Sequence, residues 1–280
     1  MPELPEVETI ARVLRDGSGD YQTSIIGCEV IRAILMWERT LAVPKPEQFI
    51  DQIVGQSIRS LSRRGKFLVF SLTDLTLLIH LRMSGDMRVE SACDGNGKPK
   101  IFEKHDRLAL EFNSGQRLVF NDTRKFGRAW LVKDPAEVLG GLGPEPLDNA
   151  LSPDVFFDIL HTRSRQLKPL LMDQRFIAGL GNIYTDEALH MAKMHPLTLS
   201  NQVTQEGSAS LLSAIREVLN EGIRRNGASI DWVYRGGDFQ NHFSVYGRAN
   251  SPCPNCGTLI ERLVVGQRGT HICPNCQRVT

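Results

Sequence analysis

Residues 253–276 read CPNCGTLIERLVVGQRGTHICPNC, and this stretch decides the fold of the C-terminal end of the chain. Two Cys-x-x-Cys pairs are separated by sixteen residues. Each pair lets two thiolates from one tight turn reach the same ion, and two such turns supply the closed tetrahedral shell of a structural Zn²⁺. The predicted ligands are Cys253, Cys256, Cys273 and Cys276. Because the protein supplies all four ligands, we expect one ion that holds a small hairpin and no metal catalysis.

The hairpin between the cysteine pairs carries Arg268 at its predicted tip. A basic residue on a rigid ribbon suits a contact to a nucleic-acid phosphate, although a solvated turn residue has the same signature. The other two cysteines, Cys28 and Cys93, stand alone. This usage excludes a disulfide scaffold and predicts two free thiols in a reducing compartment.

Upstream of the cysteines, apolar spacing typical of helices runs from about residue 152 to about 226. Ser152-Pro153 supplies an N-cap followed by a first-turn proline. The longest helix is predicted near 204–225. In the motif GLGNIY, Asn182 follows a turn, and we expect it to cap the next helix.

Between residues 24 and 133 the pattern is mostly that of short strands. Leu108, Leu110 and Phe112 share one face of a strand, and Asn113-Ser114-Gly115 then supplies a turn. Arg64-Gly65 marks a second hairpin. Regular short strands joined by turns predict a β-sandwich.

A segment rich in Gly and Pro separates the strand pattern from the helical pattern. With 280 residues, 41% of them hydrophobic, the chain is long enough for several domains. We therefore expect an α+β multidomain protein. Its predicted parts are an N-terminal β-sandwich domain with a leading helix (1–134), a linker (135–150), a helical domain (151–245) and a zinc finger (246–280).

The first nine residues, MPELPEVET, precede and begin the leading helix, which Pro5 can open. The apolar stripe of that helix is Val7, Ile10, Ala11 and Leu14. Pro2 and Glu3 then lie just before the helix.

A small residue at position 2 permits removal of Met1, which exposes the secondary amine of Pro2. An α-amine has a pKa near ~8, so part of it is neutral and can attack an electrophilic carbon to form an iminium. Glu3 and Glu6 supply nearby carboxyls for proton transfer. Taken alone, Pro2 is better explained as a helix-start residue, and no Schiff base forms on proline if Met1 is retained.

The net charge of +1 is weak for a nucleic-acid binder, so any DNA-binding face must be a local patch. No apolar run is long enough to span a bilayer, and the acidic N-terminus is unlike a signal peptide. These features predict an intracellular protein without a membrane partner.

Six motifs occur in a fixed order along the chain: MPELPEVET (1–9), RRGKFL (63–68), HLRMSG (80–85), NDTRKFGR (121–128), GLGNIY (179–184) and the cysteine hairpin. In this combination the chain resembles the bacterial formamidopyrimidine-DNA glycosylases over essentially its whole length. The resemblance implies a β-sandwich, a helical domain with a helix-two-turn-helix element, and a C-terminal zinc finger. It also implies an enzyme that excises 8-oxoguanine and formamidopyrimidines from damaged double-stranded DNA and cuts the strand by β,δ-elimination.

The same resemblance implies roles for single residues. The nitrogen of Pro2 is the nucleophile, Glu3 transfers protons at the sugar, Glu6 assists by positioning, and Lys66 contacts a phosphate near the damaged nucleotide. Besides Zn²⁺, no redox or nucleotide cofactor is expected.

Extrusion of a base leaves a hole in the duplex that the protein must fill. The resemblance implies that Met83, Arg124 and Phe126 fill it. Phosphate contacts are expected from Asn182 at a helix N-terminus and from Arg268. His80 either donates to a phosphate or is a satisfied buried histidine.

The segment 226–243 is expected to contact the damaged base, and its sequence departs from the form typical of the family. Three alternatives stay open. The first is the endonuclease VIII-like branch of the same superfamily, which prefers oxidised pyrimidines. The second is a damage-sensing DNA-binding protein without catalysis, and the third is a generic zinc-ribbon nucleic-acid binder. Action as a single subunit in the bacterial cytoplasm, at the nucleoid, is expected.

Overall fold

The structure is a computed structural model that describes residues 1–17, 24–229 and 236–278. The described residues form two compact units. The first contains Met1–Pro2 and Glu6–Gly140, and the second contains Glu3–Pro5, Gly141–Ser229 and the chain from Gly236 onward. The domain boundaries expected at 134, 150 and 245 stay predictions. Part of the segment expected to contact the base, residues 230–235, lies outside the described residues.

The leading helix α1 spans Leu4–Asp16. Its predicted stripe is buried, with Val7 and Ala11 fully inaccessible to solvent. Pro5 occupies the second helical position, where its missing N–H has no intrahelical partner to lose. Pro2 and Glu3 therefore precede the helix, as the sequence predicted.

Nine strands form the sheets of the first unit within the described residues. They are β1 (Val30–Leu35), β2 (Leu41–Val43), β3 (Ser60–Arg64), β4 (Phe67–Ser71), β5 (Thr76–His80), β6 (Gly85–Ser91), β7 (Asp106–Phe112), β8 (Gln116–Asp122) and β9 (Arg128–Val132). One sheet has the order β1-β7-β8-β6 and the other β2-β9-β5-β4-β3. Pairing is antiparallel except between β2 and β9.

The two sheets share one hydrophobic core. Leu108 and Phe112 from the first sheet and Leu68 and Phe70 from the second belong to a single cluster of buried side chains. Alternating strand residues thus face inward from both sheets, which is the packing of a sandwich. The predicted β-sandwich is confirmed.

Both predicted hairpin turns are present. Arg64 pairs with Phe67 across a two-residue turn in which Gly65 has φ +57°. Gly115, with φ +80°, lies in the turn between β7 and β8. Both glycines adopt the left-handed conformation that side chains disfavour.

A helix between the strands was not predicted. Helix α2 spans Pro46–Ile53, and Phe49 and Ile53 are its buried side chains. These two residues are four apart, and Pro46 occupies the first turn. Two apolar positions in eight residues are too few to distinguish a helix from a strand by period.

In the part of the chain that the structure describes, five further α-helices follow: α3 (Ala136–Leu139), α4 (Pro153–His161), α5 (Leu167–Leu171), α6 (Asn182–Met191) and α7 (Gln205–Arg224). The predicted N-cap of α4 is present, because Ser152 Oγ accepts from Val155 N. Helix α7 is capped by Thr204 in the same way. In the described residues, no helix combines the length and apolar character needed to cross a membrane.

The second half of the expected linker is packed into the second unit. The guanidinium of Arg216 donates to the carbonyls of Pro146 (2.8 Å), Asp148 (2.8 Å) and Leu151 (2.7 Å). These bonds satisfy backbone acceptors that a free linker would leave to water. The segment is therefore a fixed part of its unit.

Candidate active site

Glu3 is held by the start of helix α6. Its carboxylate accepts from Gly181 N at 2.7 Å and from Ile183 N at 3.0 Å, and the side chain is 2% exposed. An anion at a helix N-terminus is stabilised by the unpaired amides and by the helix dipole. Glu3 is thereby fixed beside Pro2, which is also buried.

Gly181 makes room for this carboxylate. A Cβ at position 181 would lie 2.3 Å from Glu3 Cδ, far inside contact distance. The backbone at 181 is extended, with φ −132°, so the need for glycine is one of space rather than of conformation. Leu4 N also donates to Gly179 O at 3.0 Å, which ties the start of α1 to the same loop.

The prediction that Asn182 caps helix α6 is wrong. Gly181 is the N-cap and Asn182 is the first helical residue. The carboxylate of Glu3 takes the place of the side-chain cap, since it already satisfies two amides of this helix end. Asn182 instead donates through Nδ2 to Gly269 O at 3.1 Å, and its Oδ1 is buried without a hydrogen-bond partner.

A buried ion pair, missed from the sequence, lies beside this helix. Lys168 is fully buried, and its Nζ lies 2.6 Å from Asp186 Oδ1 and 3.0 Å from Gly269 O. Burial lowers the pKa of Lys168, while Asp186 and then Glu3 oppose that shift. The only sequence signal was a single lysine inside the apolar run LKPLL.

Gly269 O thus accepts from both Lys168 and Asn182. Gly269 adjoins Arg268, so these bonds position the cysteine hairpin against the start of α6. Arg268 itself is exposed at the first residue of its strand.

Glu187 is a second buried group that sequence reasoning missed. Its carboxylate accepts from the backbone amides of Ser244 (2.8 Å), Val245 (2.9 Å) and Tyr246 (2.8 Å). Burial raises the pKa of Glu187, and the three amide bonds oppose the shift. The contacts fix the chain just before the cysteine hairpin.

Glu6 and Lys66, in the first unit, are both buried at 3% and 4% exposure. Lys66 follows Gly65 in the β3–β4 turn. Its burial means that the side chain is held by its surroundings rather than extended into solvent.

His80 is also buried, at 7% exposure. Its Nδ1 accepts from Arg82 N at 3.0 Å, and its ring packs edge-on against Phe67 with the two ring centres 4.7 Å apart. Burial lowers the pKa of His80 to about 3, with help from Arg82 and Lys66. The imidazole is therefore neutral at pH 7 and carries its proton on Nε2, which leaves it a neutral donor and not a cation.

Met and Phe side chains are usually buried in a core, but Met83 and Phe126 are 40% and 49% exposed. They lie on the β5–β6 and β8–β9 connections. The guanidinium of Arg124 lies 5.2 Å from the Phe126 ring centre, within cation–π range. The first unit thus presents an apolar and cationic surface at these two loops.

The four cysteines of the C-terminal hairpin have their sulfurs within 4.8 Å of one another. Individual Sγ–Sγ distances are 3.4 Å (Cys256–Cys273), 3.5 Å (Cys256–Cys276) and 4.0 Å (Cys253–Cys276). A tetrahedral ion with Zn–S bonds of about 2.3 Å needs separations of roughly 3.8 Å, so the site fits Zn²⁺.

The hairpin between the cysteine pairs consists of β10 (Glu261–Val265) and β11 (Arg268–Ile272). Gly266 and Gln267 both have positive φ, as a two-residue hairpin turn requires. His190 Nε2 lies 3.4 Å from Cys253 Sγ and orients this ligand from outside the metal shell.

Three family models match the chain in order. They are the formamidopyrimidine-DNA glycosylase N-terminal domain at residues 1–129, the formamidopyrimidine-DNA glycosylase H2TH domain at 142–233, and the zinc finger found in FPG and IleRS at 250–279. Among curated relatives, the formamidopyrimidine-DNA glycosylase of Protochlamydia amoebophila is 43% identical over 99% of this chain and 100% of its own length. That of Chloroflexus aurantiacus is 43% identical over 99% and 98%.

Solved structures give the same result. A MutM in complex with DNA containing carbocyclic 8-oxo-G matches with a TM-score of 0.88 at 35% identity, over 99% of this chain and 100% of that one. The Lactococcus lactis Fpg (MutM) bound to DNA containing N7-benzyl-Fapy-dG matches with a TM-score of 0.89 at 35% identity and the same coverage.

Proposed function

Because the chain belongs to the formamidopyrimidine-DNA glycosylase family, we propose that it excises oxidised purines from duplex DNA by attack of a proline amine on the damaged nucleotide. It is a DNA glycosylase and abasic-site lyase, its substrate is damaged double-stranded DNA, and one structural zinc ion holds its C-terminal hairpin. The nucleophile, Pro2, and the roles of the residues below are the proposed part.

The arrangement of Glu3 is the observation that carries this proposal. Its buried carboxylate is fixed by Gly181 N and Ile183 N, one residue after Pro2. A general acid or base must be held within hydrogen-bond reach of the atom that exchanges the proton. The structure of the helix start therefore supports proton transfer by Glu3 next to an amine at Pro2.

The proposed reaction begins with removal of Met1. The Pro2 nitrogen then attacks C1′ of the damaged nucleotide, and the C1′–base bond breaks with its electron pair leaving on the base. Glu3 exchanges protons at the sugar as the ring opens to an iminium. Loss of a C2′ proton breaks the C3′–O bond, a second elimination breaks the C5′–O bond, and hydrolysis of the iminium frees the enzyme. Glu6 assists by positioning.

DNA contacts come from two groups of residues in this proposal. Met83, Arg124 and Phe126 fill the gap left by the extruded base, which their exposure supports. Phosphates are contacted by Lys66, His80, Asn182 and Arg268. For His80 the donor is the neutral Nε2–H, because Nδ1 accepts from Arg82 N.

The segment 226–243 is proposed to contact the damaged base. We further propose that the protein acts as a single subunit at the bacterial nucleoid, in the cytoplasm, because its substrate is chromosomal DNA.

The test is borohydride trapping on duplex DNA with 8-oxoguanine opposite cytosine. The wild type and the Pro2→Gly and Glu3→Gln variants are compared, after mass spectrometry has established that Met1 is absent. We expect a covalent adduct with the wild type that is reduced or lost in both variants. An adduct only with an oxidised pyrimidine would move the chain to the endonuclease VIII-like alternative. Absence of an adduct on every lesion and on an abasic site would leave the damage-sensing alternative.

A further inference from the structure

The two loops that carry Met83 and Phe126 share an unusual backbone feature. The residue before each, Arg82 and Lys125, has a positive φ of 55° and 60°. A residue other than glycine pays roughly 1–2 kcal/mol in this conformation, so the surroundings must hold it there. Each exposed apolar side chain is thus presented by a strained backbone.

One buried carboxylate joins these loops. The hydroxyl of Ser84 donates to Asp122 Oδ1, and both side chains are almost inaccessible, at 2% and 1% exposure. Arg124 N donates to Ser84 Oγ (3.0 Å) and to Asp122 Oδ1 (3.2 Å). Gly127 N donates to Asp122 Oδ2 at 2.7 Å. Because both side chains are buried, these bonds are stronger than they would be at the surface.

The loops also pack against one ring. A Cβ at Gly85 would lie 2.8 Å from Phe120 Cε2, and a Cβ at Gly127 would lie 2.3 Å from Phe120 Cζ. Gly85 follows Ser84, and Gly127 follows Phe126. Both loops therefore approach the same side chain so closely that only glycine fits at 85 and at 127.

The carboxylate is itself anchored in the sheet. The Asp122 carbonyl accepts from Arg107 Nε at 2.8 Å, and Asp122 N donates to the carbonyl of His105 at 2.8 Å. The fixed point therefore belongs to β7 and β8, and the two loops extend from it.

We propose that the hydrogen-bonded pair of Ser84 and Asp122, here called the latch, makes the Met83 loop and the Arg124–Phe126 loop enter DNA as one rigid body. The inference rests on the void-filling role in the proposed function. Ser84 and Asp122 are positioning residues, since they act through the side chains that the latch holds. When Met83 and Phe126 are held on one rigid body, a single opening of the base stack admits both side chains. Each side chain therefore contributes most to DNA affinity when the other is present.

The experiment measures the Kd for duplex DNA containing a tetrahydrofuran abasic-site analogue opposite cytosine. Met83→Ala, Phe126→Ala and the double variant are compared in the wild type and again in Ser84→Ala. We expect the wild-type cycle to be non-additive by about threefold or more in Kd. In the Ser84→Ala background, the fold-change in Kd of the double variant should equal the product of the two single fold-changes, so that the coupling factor is near one. A loss of stability that lowers the folded fraction of all four proteins of a cycle equally cannot change this coupling.

Ser208→Ala is the matched control, because its buried hydroxyl in α7 has no partner among the described residues. It should leave the coupling intact. If Ser84→Ala does not fold, Asp122→Asn gives the same test. The latch would be overturned if the effects of Met83→Ala and Phe126→Ala on Kd were independent in the wild type, or if their coupling survived in Ser84→Ala. Wild-type protein that excises no 8-oxoguanine and forms no adduct would instead reject the proposed function.

Discussion

Substitution of Gly181 by alanine should strongly slow the enzyme while leaving it folded. The new Cβ would lie 2.3 Å from Glu3 Cδ, 2.4 Å from Oε1 and 2.7 Å from Oε2. To reach ordinary contact at 3.4 Å the carboxylate must retreat by about 1.1 Å. That shift lengthens its bonds to Gly181 N and Ile183 N, now 2.7 Å and 3.0 Å, beyond hydrogen-bond range.

The expected effect is mainly on catalysis. Misplacement of a reacting group by 1 Å costs on the order of 100-fold in rate, so base release should slow by about that factor. The strain of the extra methyl should cost about 1–3 kcal/mol of unfolding free energy. Alanine adopts the extended backbone at 181 without difficulty, so the loss reports on Glu3 and not on the loop conformation.

Single-turnover excision of 8-oxoguanine, with urea unfolding alongside, makes the measurement. Gly141→Ala is the control, because a Cβ there meets nothing within 4 Å and the residue lies in the same unit. A Gly181→Ala enzyme that excises the base at the wild-type rate would refute the assignment of proton transfer to a carboxylate held by this helix.

Three further predictions concern the buried groups and the metal. Lys168→Met should lower the unfolding free energy by about 3–5 kcal/mol, because it leaves the buried Asp186 carboxylate without the Lys168 ammonium and, among the described residues, with only His271 beside it. The double variant Lys168→Met/Asp186→Leu should lose less unfolding free energy; urea unfolding decides, and equal losses would contradict the pairing. In the folded protein the pKa of His80 is about 3, whereas in the unfolded chain it is near 6.5. The stability that the neutral imidazole contributes is therefore complete above pH 6.5 and is lost as the pH falls toward 3. Relative to His80→Gln, wild-type unfolding free energy should therefore drop by up to about 1.4 kcal/mol per pH unit in that window, and parallel curves would exclude the shift. Cys256→Ser or chelation should remove one zinc ion per chain by elemental analysis and weaken DNA binding, since the hairpin that carries Arg268 has little core of its own; undiminished affinity in the metal-free protein would show that this hairpin does not contribute.

The sequence correctly predicted the structural features that depend on a few neighbouring residues. The two Cys-x-x-Cys pairs, the hairpin at Gly65 and the N-cap at Ser152 each depend on a few neighbouring residues, and all are present. Helix α2 was missed because its buried face has only Phe49 and Ile53. Asn182 was assigned as a cap because asparagine has that preference, but a carboxylate from the other end of the chain already occupies the helix start.

The sequence by itself determined the order of domains, the metal ligands, and Pro2 and Glu3 as the residues where the chemistry is expected. Only the tertiary structure decided that Glu3 binds the start of α6, that Lys168 pairs with Asp186, and that Asp122 joins two loops. The partners are separated in sequence by 178 positions for Glu3 and Gly181, by 38 for Ser84 and Asp122, and by 18 for Lys168 and Asp186. A single sequence has no periodicity that reports such pairs, because they form only after packing has removed water from the groups and left each with few available partners.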